Sequence, residues 1–358
     1  MDTGNGLIGT GVPGGLMAIR RVAWLDFAKS VAIVLVVLYH VGGAGIGHLF
    51  PNPEGVASEF WAGVNQSLLP MRMPLFFAAA GLLAHHSVRR PWGRIWRTRI
   101  AVPLWTYLLW SVGLACLSGF AYHHENPGAY AVYLLRWIPF AGSAYWFLAV
   151  VAVLHVAAKL LHRWPRPVLA ATLVVALASP YVEASIPEAW PNLLTYAAVK
   201  ASRYAFWYFL GCYGAQSSEK IARMNPWSTV IGGGVSFAIL TYVAWSGQFS
   251  APLSLPLSAT GLVAAIGLST WAVRSARVRT ISKYIADRTL PIYLLHPVLI
   301  NLMVLLSVGL GGPLKPNDPW ATALTPVLVI ACIVASVFTY DRILPTRFAW
   351  IYRLPQRR

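Results

Sequence analysis

Charged side chains are scarce in this sequence. Asp, Glu, Lys and Arg make up 11% of the 358 residues, whereas 57% of the residues are hydrophobic. A soluble domain carries about 25% charged residues, so this chain has too little polar surface to cover a globule in water. The scarcity of charge excludes an ordinary soluble enzyme and indicates a protein that folds in the lipid bilayer.

The chain also lacks the short motifs that carry chemistry in many soluble enzymes. It contains no glycine-rich nucleotide loop, no HExxH zinc motif and no GxSxG nucleophile motif. Its three cysteines, Cys116, Cys212 and Cys332, lie within apolar stretches and have no metal-ligand spacing. We therefore expect no disulfide and no metal site, and any catalysis must use polar side chains in or beside the membrane.

Long apolar runs are abundant. Ten of them are separated by short polar connections: 24–45, 60–84, 100–120, 144–161, 167–183, 197–215, 227–246, 255–273, 289–309 and 321–340. In lipid only helices or closed barrels satisfy the backbone, and runs of this length without alternation predict helices. The sequence predicts an all-α integral membrane bundle of about ten transmembrane helices. It forms one domain, 20–345, between a flexible extension, 1–19, and a basic cytoplasmic tail, 346–358.

The basic residues alternate between the two sides of this bundle. The chain has a net charge of +17, and 22 of its 28 Lys and Arg residues fall before the first run, after every second run or in the tail. The opposite connections hold only Arg136, Lys200 and Lys315. The positive-inside rule then places both termini in the cytoplasm. Because the charge is distributed as an orientation signal, it does not indicate a nucleic-acid partner.

The first run, "DFAKSVAIVLVVLYH", carries ionisable residues that a lipid-facing helix would avoid. Lys29 and His40 are eleven residues apart, so an α-helix places them on one face, about 16 Å apart along the axis. Asp26 lies within roughly 60° of that line. This spacing predicts a polar stripe with Lys29 at the cytoplasmic end and His40 toward the outer half. A pair of Asp26 and Lys29 at the interface with a separate hydrogen-bonded histidine is the alternative.

The second run contains "MRMPLFFAAAGLL", which places Arg72 near the middle of the bilayer. A guanidinium stays charged, so Arg72 needs a bound substrate group, Asp26 or another buried acceptor. A purely structural arginine that joins helices is the alternative. Pro74 and Gly81 predict a bent helix that leaves space for a ligand.

The cytoplasmic segment after the second run reads "RRPWGRIWRTRI". Arg94 and Arg97 have i, i+3 spacing and would share a helical face, with Arg90 and Arg99 nearby. Because arginine binds phosphates through two parallel hydrogen bonds, the segment is a candidate phosphate site. The alternative is that these arginines only orient the protein in the membrane and bind no ligand.

The ninth run contains "TLPIYLLHP" and places His296 in the cytoplasmic half of its helix, directly before Pro297. Tyr293 lies one turn earlier. From these residues alone, His296 is expected to be a packed histidine or one that hydrogen-bonds to its own helix.

Taken in chain order, several of these motifs resemble one family. The motifs are Lys29–x10–His40, "MPLFF" followed by Gly81, Arg94-x-x-Arg97, "WFL" at Trp146–Leu148 and "TLPIYLLHP" at Thr289–Pro297. In this order, over residues 20–340, they resemble the membrane acyltransferase family 3, multi-spanning bacterial O-acyltransferases that modify envelope glycans and related acceptors.

The resemblance implies acyl transfer from cytoplasmic acyl-coenzyme A, with acetyl-coenzyme A expected as co-substrate and no permanently bound cofactor. The acceptor would be a hydroxyl of an envelope glycan, a glycolipid or another lipid-linked molecule at the inner membrane. His40 would be the catalytic base or acyl carrier, Lys29 would occupy the basic partner position, and Asp26 is assigned to the catalytic set with them. The arginines would bind the donor phosphates: Arg90, Arg94, Arg97 and Arg99. The supporting or oxyanion candidates are Arg72, Tyr293, His296 and Trp146.

Two other functions fit the same residues. Ten helices with intramembrane Lys, Arg and His also suit a transporter or exporter of a glycan or lipid intermediate. A non-catalytic membrane component of a glycan-assembly complex is the third possibility. Binding of acyl-coenzyme A would distinguish the enzyme from both.

Overall fold

A computed structural model of the chain describes residues 22–45, 56–185, 193–246, 250–309 and 320–354, and all regular elements in these ranges are helical. The α-helices are α1 Ala23–His40, α2 Val56–Ala84, α3 Trp92–Ile95, α4 Val102–Tyr122, α5 Pro127–Trp137, α6 Trp146–Leu160, α7 Pro165–Ala184, α8 Leu193–Tyr213, α9 Ala215–Arg223, α10 Pro226–Trp245, α11 Ser250–Ala272, α12 Ala276–Ala286, α13 Thr289–Gly309 and α14 Trp320–Ile343. Two π-helical turns, Val41–Gly45 and Trp96–Ala101, and two 3₁₀ helices, Ile138–Phe140 and Arg347–Ile351, complete the order.

The predicted helical membrane bundle is confirmed. Ten helices, α1, α2, α4, α6, α7, α8, α10, α11, α13 and α14, correspond to the ten predicted spans. Within the described ranges, eight helices are long and apolar enough to cross a membrane; α6 has only 15 residues, and α8 is less apolar. The orientation of the bundle stays a prediction. The extension 1–19 lies outside the described residues.

Helix α1 occupies the centre of the bundle. It packs against α2, α11, α12, α13 and α14. Ala28 and Ala32 are fully buried and allow neighbouring helices to approach closely, while Ile33 and Val37 fill the space between them. The polar residues of α1 are therefore surrounded by other helices rather than by lipid.

Helices α2 and α8 cross at two glycines. A Cβ atom at Gly81 would lie 2.0 Å from the Tyr208 carbonyl oxygen, and one at Gly211 would lie 2.1 Å from the Ala78 carbonyl oxygen. Each glycine thus accommodates the backbone of the other helix. The space for a ligand predicted from Pro74 and Gly81 does not lie at Gly81, where the neighbouring backbone fills it, whereas Pro74 lines a cavity.

The chain beyond α14 returns to the bundle. The 3₁₀ helix Arg347–Ile351 lies against α4, where Trp105 Nε1 donates to the Trp350 carbonyl at 3.1 Å and Trp110 Nε1 to the Ile351 carbonyl at 2.9 Å. Tyr352 is buried against Trp110. The first part of the basic tail is therefore packed against the protein.

Candidate active site

The N-terminal end of α1 is held against α12 by hydrogen bonds. Lys29 Nζ donates to the Ala286 carbonyl at 3.1 Å. Ser30 Oγ lies 2.8 Å from the Asp26 carbonyl and 2.7 Å from the Ser282 carbonyl. The Asp26 side chain is buried at the same end. The predicted polar stripe therefore begins in a protein interface, where Lys29 has a backbone partner.

His40, the last residue of α1, meets His296 of α13. His40 Nδ1 lies 3.2 Å from His296 Nε2 and 2.9 Å from the Val36 carbonyl oxygen. The ring centroids are 4.9 Å apart. His296 is completely buried, whereas His40 is half-buried. Two histidines separated by 256 residues thus form one polar pair.

The contact puts His40 and His296 at one level of the bundle. His40 lies eleven residues after Lys29 in the same helix, so at 1.5 Å per residue it is about 16 Å from the level of Lys29. The sequence placed His40 toward the outer half of the membrane and His296 in the cytoplasmic half, and the half that holds the pair stays a prediction.

Arg72 lies beside the histidine pair. Its side chain is 2% exposed, and its Cζ atom is 4.2 Å from the centroid of the Tyr39 ring, a cation–π contact. Tyr39 precedes His40 and packs edge-on against it, with the centroids 5.0 Å apart. Asp26 is thirteen residues before Tyr39, about 20 Å along the helix, so the suggestion that it pairs with Arg72 is wrong.

Of the two aromatic candidates, Tyr293 lies near His296 on the same helix, whereas the described ring contacts of Trp146 are with other residues. Tyr293 donates its hydroxyl to the Ala144 carbonyl at 3.0 Å, and its ring centroid is 5.9 Å from that of His296. Trp146 packs against Tyr204 and lies under Lys200 Nζ, which is 4.6 Å from the ring centroid. Tyr145, which the sequence reasoning did not select, is fully buried and donates to the Leu294 carbonyl at 2.7 Å. The sequence did offer one indication of its importance, because Tyr145 directly precedes the family motif "WFL".

The four arginines of the predicted phosphate site differ in exposure and in hydrogen-bond partners. Arg90 and Arg94 are exposed, and Arg97 donates to the Leu354 carbonyl at 3.0 Å. Arg99 is half-buried and donates to the Leu83 carbonyl at 3.1 Å. The expected α-helical face of Arg94 and Arg97 is also wrong, because α3 ends at Ile95 and a π-helical turn follows.

Lys159 holds the segment that carries these arginines. Its side chain is buried, and Nζ donates to the Val88 carbonyl at 3.2 Å and also to the Arg90 carbonyl. The ammonium group lies 5.0 Å from the centroid of the Trp92 ring. In the sequence, Lys159 is one of the 22 Lys and Arg residues whose distribution predicts the orientation in the membrane. Nothing in its local sequence distinguishes it from the exposed basic residues.

A half-open cavity of about 440 Å³ lies between α2, α7, α8 and α11. Pro70 and Pro74 line it, together with the Arg203–Glu183 ion pair. On an α-helix, Pro70 and Pro74 are about 200° from Arg72, so these two prolines face away from the histidine pair. Tyr204 also lines the cavity, and its ring packs against Trp146, so the cavity borders one of the candidate residues. Within the described ranges no group of three or more His, Cys, Asp or Glu side chains could hold a metal ion.

Comparisons with known proteins agree with the motifs. A family model described as acyltransferase domain matches residues 22–340. The chain is 25% identical over 304 residues to the inner membrane protein YcfT of Escherichia coli (strain K12), covering 80% of this chain and 82% of that protein. No solved structure matches the chain. The chain belongs to the membrane acyltransferase family 3 and is a multi-pass acyltransferase of the inner membrane.

Proposed function

We propose that the protein is an O-acyltransferase that moves an acyl group, with acetyl expected, from cytoplasmic acyl-coenzyme A to a hydroxyl of an envelope glycan or lipid-linked acceptor. The observation that carries the proposal is the pairing of His40 with His296 beside the buried Arg72. The pair lies about 16 Å along α1 from Lys29, roughly half of a 30 Å hydrocarbon core. With Lys29 at the cytoplasmic edge, the donor would reach the pair from the cytoplasm and the acceptor from the outer side.

His40 acts as the general base in the simpler route. The acceptor oxygen attacks the thioester carbonyl carbon while its proton passes to His40. The new carbon–oxygen bond forms and the carbon–sulfur bond breaks. The coenzyme A thiolate then leaves as the thiol after taking the proton from His40.

His40 acts as the acyl carrier in the other route. Its ring nitrogen attacks the thioester first, and the thiolate leaves. The acceptor oxygen then takes the acyl group from the imidazole, and the hydroxyl proton ends on the thiolate. Both routes require an unprotonated ring nitrogen on His40. In both, the positive charge of Arg72 near His40 favours the oxyanion that forms on the carbonyl oxygen.

Replacement of His40 tests the proposal. We expect His40→Ala to abolish acyl transfer while expression and thermal stability stay near those of the unaltered protein, because only the reacting imidazole is lost. The assay is mass spectrometry of envelope glycans and lipids from cells with and without the protein, followed by acyl transfer with purified protein. The control is His124→Ala, an exposed histidine far along the sequence from the pair. Full acyl transfer by His40→Ala would overturn the assignment.

The donor arginines have their own test. Arg94→Ala combined with Arg97→Ala should raise the KM for acyl-coenzyme A about 10²- to 10⁴-fold with little change in kcat, since each of the two lost charged hydrogen bonds contributes about 1.5–3 kcal/mol. The control is Arg163→Ala combined with Arg166→Ala, which removes the same charge from another connection on the same predicted side of the membrane. Equal KM values for the two double variants would contradict a donor site at Arg94 and Arg97.

A further inference from the structure

The hydrogen bonds of the histidine pair determine where its protons lie. A carbonyl oxygen only accepts, so a ring nitrogen at hydrogen-bond distance from one must carry a proton. His296 Nδ1 is 2.9 Å from the Ile292 carbonyl oxygen, and His40 Nδ1 is 2.9 Å from the Val36 carbonyl oxygen. Both neutral imidazoles are therefore protonated at Nδ1 and unprotonated at Nε2.

Pro297 follows His296 directly in α13. A proline has no backbone N–H, so the Tyr293 carbonyl, four residues earlier in α13, lacks its helical donor. The Ile292 carbonyl, one residue before it, accepts from the protonated Nδ1 of His296. The Nε2 lone pair of His296 points to His40 Nδ1 at 3.2 Å.

We propose that His296 is a positioning residue for His40, an inference that rests on the proposed role of His40. The Nε2 lone pair of His296 and the Val36 carbonyl both accept from the His40 Nδ1–H group. His40 is thereby held in the tautomer whose Nε2 nitrogen is unprotonated, and Nε2 is the atom that takes the acceptor proton or the acyl group.

His296 has a second effect once His40 becomes positively charged. The groups that face the pair are the Arg72 cation, the ring of Tyr39 and the ring of Tyr293. Arg72 repels a positive charge on His40, whereas the His296 lone pair accepts a stronger hydrogen bond from charged imidazolium. The buried, neutral His296 can therefore orient His40 and stabilise its charged form, as a carboxylate does for the histidine of a hydrolase triad.

Nitrogen-15 magnetic resonance tests the tautomers without any assay of acyl transfer. The full-length protein, labelled at its histidine nitrogens and reconstituted in lipid vesicles, should show two neutral histidines protonated at Nδ1 and coupled across one hydrogen bond. His40→Gln and His296→Gln assign the two signals by their loss. Protonation of His40 at Nε2 in the unaltered protein would overturn the inference, even if acyl transfer from acyl-coenzyme A is demonstrated.

Kinetics then test the consequence. His296→Gln places an amide oxygen near the position of the lost Nε2 and should keep kcat within about 10-fold of the unaltered enzyme. His296→Leu removes the acceptor and should lower kcat by about 10²- to 10⁴-fold, the range for a positioned acid–base group, with the KM for acyl-coenzyme A little changed. Equal kcat values for the two variants, at matched thermal stability, would contradict the positioning role. Absence of turnover in the unaltered protein would instead reject the proposed function.

Discussion

At the scale of single residues, the main feature is a cluster of polar side chains that burial makes costly. Arg72 is almost fully buried, and its described side-chain contact is the ring of Tyr39. Among the described residues no ion pair to Arg72 is found. A buried guanidinium that lacks an ionised partner opposes folding in lipid, so we expect Arg72 to have a role other than stability. Lys29 differs, because a backbone carbonyl accepts its hydrogen bond.

Arg72→Met should therefore separate activity from stability. We expect kcat to fall by about 10²- to 10³-fold, as for the loss of one oxyanion donor, because the charge near the reacting carbonyl is removed. The thermal unfolding temperature should stay unchanged or rise. Arg203→Met is the control, since Arg203 pairs with Glu183 on the cavity wall, has no described contact with the histidine pair, and should keep its kcat. A loss of stability that accounts for the whole loss of activity would contradict the catalytic role of Arg72.

At the scale of helices, close backbone contact between α2 and α8 fixes the position of Arg72 and of the segment that follows α2. Gly81 and Gly211 each face a carbonyl of the other helix. In lipid, where no hydrophobic force drives helices together, such close packing is a main source of association. Lys159 and the segment it holds then lie at the end of the same pair of helices.

Gly81→Ala should thus destabilise the protein. The added methyl group would lie 2.0 Å from the Tyr208 carbonyl oxygen, so the helices must separate, at a cost of about 1–3 kcal/mol or more. Gly234→Ala in α10 is the matched control, because no atom lies within 4 Å of its added Cβ. It should be neutral or stabilising by up to about 1 kcal/mol. Thermal unfolding in detergent measures both, and equal unfolding temperatures would contradict the contact.

At the scale of the whole molecule, the distribution of basic residues matches helices that cross the membrane one after another. The connections that carry most of the Lys and Arg residues alternate with those that carry few, as expected for helices that cross the membrane in turn. The Arg97–Leu354 contact joins the segment after α2 to the end of the chain, which requires both to lie on the same side.

Labelling of single cysteines tests the predicted orientation. In a variant with Cys116, Cys212 and Cys332 replaced by alanine, His124→Cys should react with a membrane-impermeant thiol reagent applied to the outer face of the inner membrane. Arg277→Cys should react only after the membrane is opened. Both positions are exposed, so burial does not bias the comparison. The reverse pattern would show that the termini lie outside the cytoplasm.

The sequence by itself determined the features that depend on neighbouring residues. Hydropathy over about 20 residues indicated the spans, and helical periodicity placed Lys29 and His40 on one face. The order of short motifs indicated the acyltransferase family, which the family model confirmed. These signals are local, so a linear chain is enough to reveal them.

Only the tertiary structure decided which distant residues meet. It brought His296 to His40, placed Arg72 on Tyr39 and used Gly81 for a helix crossing rather than a ligand space. It also placed His296 and His40 at one level of the bundle. The physical reason is that helix packing sets relative heights and rotations, and no local pattern records them.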